Sequence, residues 1–212
     1  MEVSVAVLAN TEGKAQIMAL PAGNLAAAAA GELAQLEQLW YEFEPPEGTR
    51  LELIDGELVM SPTPSLGHSQ VIDAMLNQLF EVKRRHDWIA HTKVTVRIPA
   101  TRERLIPDLA IAAREARQLS EWELAPEGVL LAVEVVSPSS GRRDRELKRR
   151  AYAQGPVPLY LLIDPFAGPP AVTLFSQPSQ DGYRHQQSAF AQQPLRLPEP
   201  FDVDLNIARL LG

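Results

Sequence analysis

The clearest pattern in this chain is the apolar stripe of Val71, Ile72, Met75, Leu76, Leu79 and Val82, spaced for one face of a helix running from Ser65 to about Arg85. Lys83, Arg84 and Arg85 close that helix, where the dipole favours basic side chains. An earlier helical pattern starts near Leu25, with Leu33, Leu36, Leu39 and Trp40 as its apolar set, and ends at Glu44-Pro45-Pro46-Glu47-Gly48. Between the two, LELIDGELVMS places apolar stretches on either side of Asp55-Gly56, a strong signal for a tight hairpin, and SPTPSLG reads as a loop. Three strand candidates come next: WIAHTKVTVRI, RLIPDLAIA and VLLAVEVVS. The first alternates and the third is nearly continuous, as expected of a sheet running from a half-exposed edge to a centre covered on both faces. RELKRRAYAQ then forms a helix between Ser137-Pro138-Ser139-Ser140 and Gly155-Pro156. PLYLLID is a buried strand, AVTLFSQ and YRHQQSAF make a late hairpin, and DLNIARLL reads as a terminal helix. The order predicts a mixed α/β layer structure. Residues 1–25 are left without assigned structure, apart from VSVAVLAN as a short strand and PAGN as a break, and residues 26–212 are read as one domain.

Two acids disturb this pattern. Asp108 and Glu134 each interrupt an apolar run, and an unpaired buried carboxylate costs several kcal/mol or takes up a proton. Asp108 beside Pro107 is open to reading as a turn residue, and Glu134 as one half of a salt bridge to a core Arg. Taken together, two carboxylates on neighbouring strands can hold Mg²⁺, or Mn²⁺, and a nearby Lys can orient or deprotonate an attacking water. Lys148 is the available Lys. It falls at the margin of the helix face carrying Leu147, Ala151 and Ala153, with Asp144 and Tyr152, unless it is simply one of six basic residues solvated within RRDRELKRR.

Composition narrows the chemistry. The chain of 212 residues has 45% hydrophobic and 22% charged residues, ordinary globular values. It has no cysteine, which removes thiolate metal sites and cysteine nucleophiles, and its four histidines lack zinc-ligand spacing. The net charge of −7 argues against indiscriminate nucleic-acid binding but leaves room for a local basic site. The apolar, Ala-rich start has no basic n-region, so no signal peptide is expected and the location expected is cytoplasmic.

The stretches LELIDGELVMSPTPSLGHSQVIDAMLNQL, IPDLAIA and AVEVVSPSSGRRDRELKRRAYAQGPVPLYLLIDP resemble the bacterial Uma-type endonuclease family of the PD-(D/E)XK superfamily, over about residues 45–170. The resemblance implies a restriction-endonuclease-like mixed central sheet flanked by helices, with a peripheral N-terminal helix and hairpin. It implies Asp108, Glu134 and the carbonyl of Val135 as metal ligands and Lys148 as the catalytic lysine, and it singles out Glu52 and His68. The superfamily lysine normally stands two residues after the second acid, where this chain has Val136; the Uma-type pattern relocates it to the helix. An extra proline in Gly155-Pro156-Val157-Pro158 and Leu161 in place of a Trp also depart from the family. By residue type alone Glu52 is equally an exposed hairpin residue, and His68 a cap or surface residue able to position a phosphate or water.

The expected function is metal-dependent hydrolysis of DNA phosphodiester bonds, with Arg142, Arg143, Arg145 and Arg149, and Lys83 to Arg85, on the phosphates, and with pairing into a homo-oligomer to reach both strands. The alternative is a catalytically silent scaffold that keeps the fold.

Overall fold

The computed structural model describes Ala6–Ala9, Ala15–Met18 and residues 25–211; the PAGN break lies outside the described residues. In chain order the elements are β1 (Ala6–Ala9), β2 (Ala15–Met18), α1 (Leu25–Glu42), β3 (Thr49–Ile54), β4 (Glu57–Pro62), α2 (Leu66–Arg85), β5 (Ile89–His91), β6 (Thr95–Ile98), β7 (Glu103–Leu105), β8 (Leu109–Ala112), β9 (Glu123–Leu124) and β10 (Val129–Val135). A π-helical turn over Arg143–Lys148 runs into α3 (Arg149–Gln154), followed by β11 (Leu159–Asp164), β12 (Ala171–Ser179), β13 (Gly182–Ala189), β14 (Pro194–Leu197), β15 (Val203–Asn206) and α4 (Ala208–Leu211). They form two compact units, Met1–Thr63 with Arg102–Arg104, and Pro64–Thr101 with Leu105–Gly212.

In the first unit β1 pairs with β2 and β3 with β4, both antiparallel. Asp55 and Gly56 take φ values of 51° and 76°, the left-handed pair that a type I′ turn requires, so the Asp-Gly signal in the sequence becomes the hairpin it predicts. Trp40 Nε1 donates to the Leu51 carbonyl at 3.0 Å and ties α1 to the hairpin. Arg104, opposite Leu53, is buried; its guanidinium reaches Glu37 at 2.9 Å and the Tyr41 hydroxyl at 3.0 Å, and lies over the Trp40 and Tyr41 rings. A carboxylate, a hydroxyl and two ring faces compensate that buried cation.

The second unit is built on a six-stranded sheet in the order β13-β12-β11-β10-β8-β5. β10 and β11 run parallel, and the other pairs are antiparallel. A parallel pair needs a crossover, which is the stretch from Ser137 through α3. Strand alternation then divides the side chains. Leu109, Ile111, Leu131, Val133, Val135, Leu159, Leu161 and Ile163 join the stripe Ile72, Met75, Leu79 and Val82 of α2 in the main core. Residues of the opposite parity, including Ala110, Ala132, Glu134 and Tyr160, belong to the other face of the sheet.

Two elements differ from the sequence pattern. WIAHTKVTVRI is broken between His91 and Thr95: β5 edges the six-stranded sheet beside β8, whereas β6 pairs in parallel with β9. Alternation looks the same in one long strand and in two consecutive strands that join different sheets. In DLNIARLL the first residues extend instead of coiling, because β15 pairs with β14 and sets Leu205 opposite Leu195; helix remains only at Ala208–Leu211. No described helix is long and apolar enough to cross a membrane.

Candidate active site

The site lies at the end of β8 and β10, where the apolar strands run out into polar residues. Asp108 immediately precedes β8, and its Oδ2 accepts the Val135 N–H at 2.9 Å. The Val135 amide is therefore held by a side chain, where the β8–β10 ladder stops at the Val133–Leu109 pair. The N–H and C=O of one strand residue point to the same edge, so the Val135 carbonyl is directed to the edge occupied by Asp108. The next amide, that of Val136, turns the other way and donates to Ile163 at 2.9 Å.

Glu134 is 1% exposed, and its Oε1 accepts from Lys148 Nζ at 2.9 Å and from the Tyr152 hydroxyl at 3.2 Å. Lys148 is 2% exposed, fully inside rather than at the margin where the spacing alone placed it. Asp144, also buried, stands 3.7 Å from Nζ. Asp144, Lys148 and Tyr152 recur at intervals of four, and a π-helical turn, wider than an α-turn, brings such positions nearly into line. The segment is fixed at its start by Ser140, whose Oγ accepts the Ser137 N–H at 2.9 Å and whose carbonyl accepts the Asp144 N–H at 3.0 Å. It is fixed from the sheet by Tyr160, whose hydroxyl donates to the Asp144 carbonyl at 2.8 Å. Burial, reinforced by the negative field of Glu134, Asp144 and Asp108, raises the Tyr160 hydroxyl well above its ordinary pKa and keeps it a neutral donor. Nothing in the sequence pattern distinguished Tyr160 from an apolar strand residue; the periodic Asp144, Lys148, Tyr152 spacing was visible.

His68 enters from α2. Ser65 caps that helix by accepting the His68 backbone N–H at 3.3 Å, which sets His68 in its first turn. Its Nε2 stands 2.9 Å from Asp108 Oδ2. The structure thus gathers Asp108, Val135 and His68, and joins Glu134 with Lys148 on the adjoining residue. Glu52 is buried on β3 in the first unit, across from Val59, not exposed on the hairpin. Among the described residues, no three His, Asp or Glu side chains already form a metal-binding cluster.

The four arginines proposed for phosphate contact differ in their surroundings. Arg145 makes a two-pronged pair with Asp164, at 2.7 and 3.0 Å, and Asp164 also accepts the Phe166 N–H. That pair holds the Arg145 guanidinium above its already high pKa. Arg149 lies over the Phe175 ring at 5.2 Å. Arg142 is exposed, 3.8 Å from Glu146, and Arg143 is half-buried.

A mixed sheet with one buried acid on its central strand β10 and another immediately before the neighbouring antiparallel strand β8, and with a lysine delivered by the crossover segment, defines a nuclease-like α/β fold. The chain belongs to the Uma2 family, described as "Putative restriction endonuclease", whose model matches residues 30–209. Among solved structures it resembles a putative nuclease from Anabaena variabilis, with a TM-score of 0.64 and 16% identity, covering 82% of this chain and 96% of that one. No curated protein matches.

Proposed function

We propose that this chain is a divalent-cation-dependent endonuclease hydrolysing DNA phosphodiester bonds. The observation that carries the reading is the ion pair between buried Lys148 and Glu134 at 2.9 Å, next to the Val135 amide that Asp108 holds. Asp108, Glu134 and the Val135 carbonyl would hold Mg²⁺ or Mn²⁺. The chemistry of the donors suits such an ion: they are hard oxygens, and the buried carboxylates of Asp108, Glu134 and Asp144 outnumber the one buried ammonium. His68 Nε2 supports the fit, because it is buried without a hydrogen-bond partner beside Asp108.

A cation bound there supplies Lewis-acid stabilisation of the charge that builds on the phosphate. Lys148 carries three ammonium protons, one of them directed to Glu134, and orients the attacking water or a non-bridging oxygen. Tyr152 and Asp144 keep that ammonium in register, and Tyr160 fixes the turn that bears it. Arg142, which is exposed, and Arg143, which is half-buried, are the side chains of this segment assigned to the DNA backbone, with Arg145 engaged by Asp164 and Arg149 over the Phe175 ring.

The test is nicking of supercoiled plasmid with Mg²⁺ or Mn²⁺ by wild type and by Asp108→Ala, Glu134→Ala and Lys148→Met. Cleavage lost in all three supports the reading; cleavage unchanged in Asp108→Ala and Glu134→Ala overturns it. A silent scaffold is the second reading, favoured by the lack of a ready-made cluster among the described residues. It predicts no Asp108-dependent Mn²⁺ binding by calorimetry.

A further inference from the structure

We infer that the His68 imidazole is itself a ligand of the cation, and that the site therefore prefers Mn²⁺ and Co²⁺ to Mg²⁺. This rests on the metal-dependent reading above and goes beyond it by making the donor set mixed nitrogen and oxygen. Three observations carry it.

His68 Nε2 is shut off from solvent and forms no hydrogen bond, although Asp108 Oδ2 is only 2.9 Å away. A buried polar atom without a partner is costly, and a native protein keeps one only where something else completes it. Asp108 Oδ2 already takes the Val135 N–H, so His68 is not needed to satisfy that oxygen. The separation also fits: neighbouring ligands of an octahedral ion at about 2.1 Å stand about 3 Å apart.

The alternative occupant of this space is a proton shared between the two side chains. The 2.9 Å separation allows it, and the spectrum of the Mn²⁺-loaded protein described below separates the two occupants. His68 is also held from two directions, by the Ser65 cap at its backbone and by burial of its ring, with 13% of the side chain exposed. A fixed imidazole beside a carboxylate is a pre-organised pair of donors. An all-oxygen site suits Mg²⁺, whereas an imidazole shifts preference along the first-row series, with Co²⁺ above Mn²⁺.

The experiment is calorimetric titration of the full chain with Mn²⁺, Co²⁺ and Mg²⁺, together with pulsed electron paramagnetic resonance of the Mn²⁺-loaded protein. Wild type should show nitrogen coupling to Mn²⁺. His68→Gln should abolish that coupling and weaken Mn²⁺ and Co²⁺ by about tenfold or more, with a smaller change for Mg²⁺. Mn²⁺ binding that depends on Asp108 but shows no nitrogen coupling in wild type overturns the inference and leaves the nuclease reading standing. Coupling that persists in His68→Gln overturns it too. Binding that is absent, or unchanged in Asp108→Ala, overturns both. The wild-type spectrum decides the matter even if the variant fails to fold.

Discussion

Replacing Lys148 by Met keeps most of the side-chain volume and removes only the charge. At an effective dielectric constant of about 20, an ion pair at the 2.9 Å found with Glu134 is worth about 6 kcal/mol in gross attraction, and one at the 3.7 Å to Asp144 about 4 kcal/mol. Much of this is offset by the cost of burying the ammonium, and removing one partner of a buried pair typically leaves a net loss of about 3–5 kcal/mol. The buried carboxylates of Glu134 and Asp144 would then lose their shared ammonium, while Glu134 keeps the Tyr152 hydroxyl as a donor. Urea unfolding at pH 7 should show the loss, and the melting temperature should fall by about 6–20 °C. Saturating Mn²⁺ should restore part of the lost stability, as a ligand bound only by the folded state. A loss below about 1 kcal/mol would refute the reasoning, since it is the size found for solvated surface pairs.

Three further outcomes are expected. Burial raises the hydroxyls of Tyr160 and Tyr183, so the folded state keeps protons that the unfolded chain sheds above its ordinary value near 10.0. Stability should be intact below that pH and fall by up to about 1.4 kcal/mol per pH unit per tyrosine above it, with a flatter alkaline limb in Tyr160→Phe and Tyr183→Phe on urea unfolding. Arg145→Ala should lower thermal stability by about 1 kcal/mol through loss of the Asp164 pair, with the salt dependence of DNA binding nearly unchanged, whereas Arg143→Ala should reduce that salt slope by about one. Gly128→Ala would place a Cβ 2.4 Å from the Ala116 Cβ and 2.7 Å from its Cα; backbone cannot yield as a flexible side chain does, and a loss of about 1–3 kcal/mol is expected on denaturation.

Local sequence determined much of this protein. The α2 stripe, the Asp-Gly hairpin, the continuous strand VLLAVEVVS and the two acids that interrupt apolar runs are all local signals, because helix period, turn geometry and the cost of a buried charge act over a few residues. Lys148 was legible as a candidate from its place on the helix with Asp144 and Tyr152, and the family resemblance pointed to the same residue. Tertiary structure decided the rest. It split WIAHTKVTVRI between two sheets and drew the start of the last helix into a strand, since which partner a strand finds depends on residues far away in the chain. It buried Lys148, because Glu134 arrives from another element fourteen residues earlier to compensate the charge. It also set His68 beside Asp108, forty residues apart, a juxtaposition that no spacing rule along a helix or strand contains.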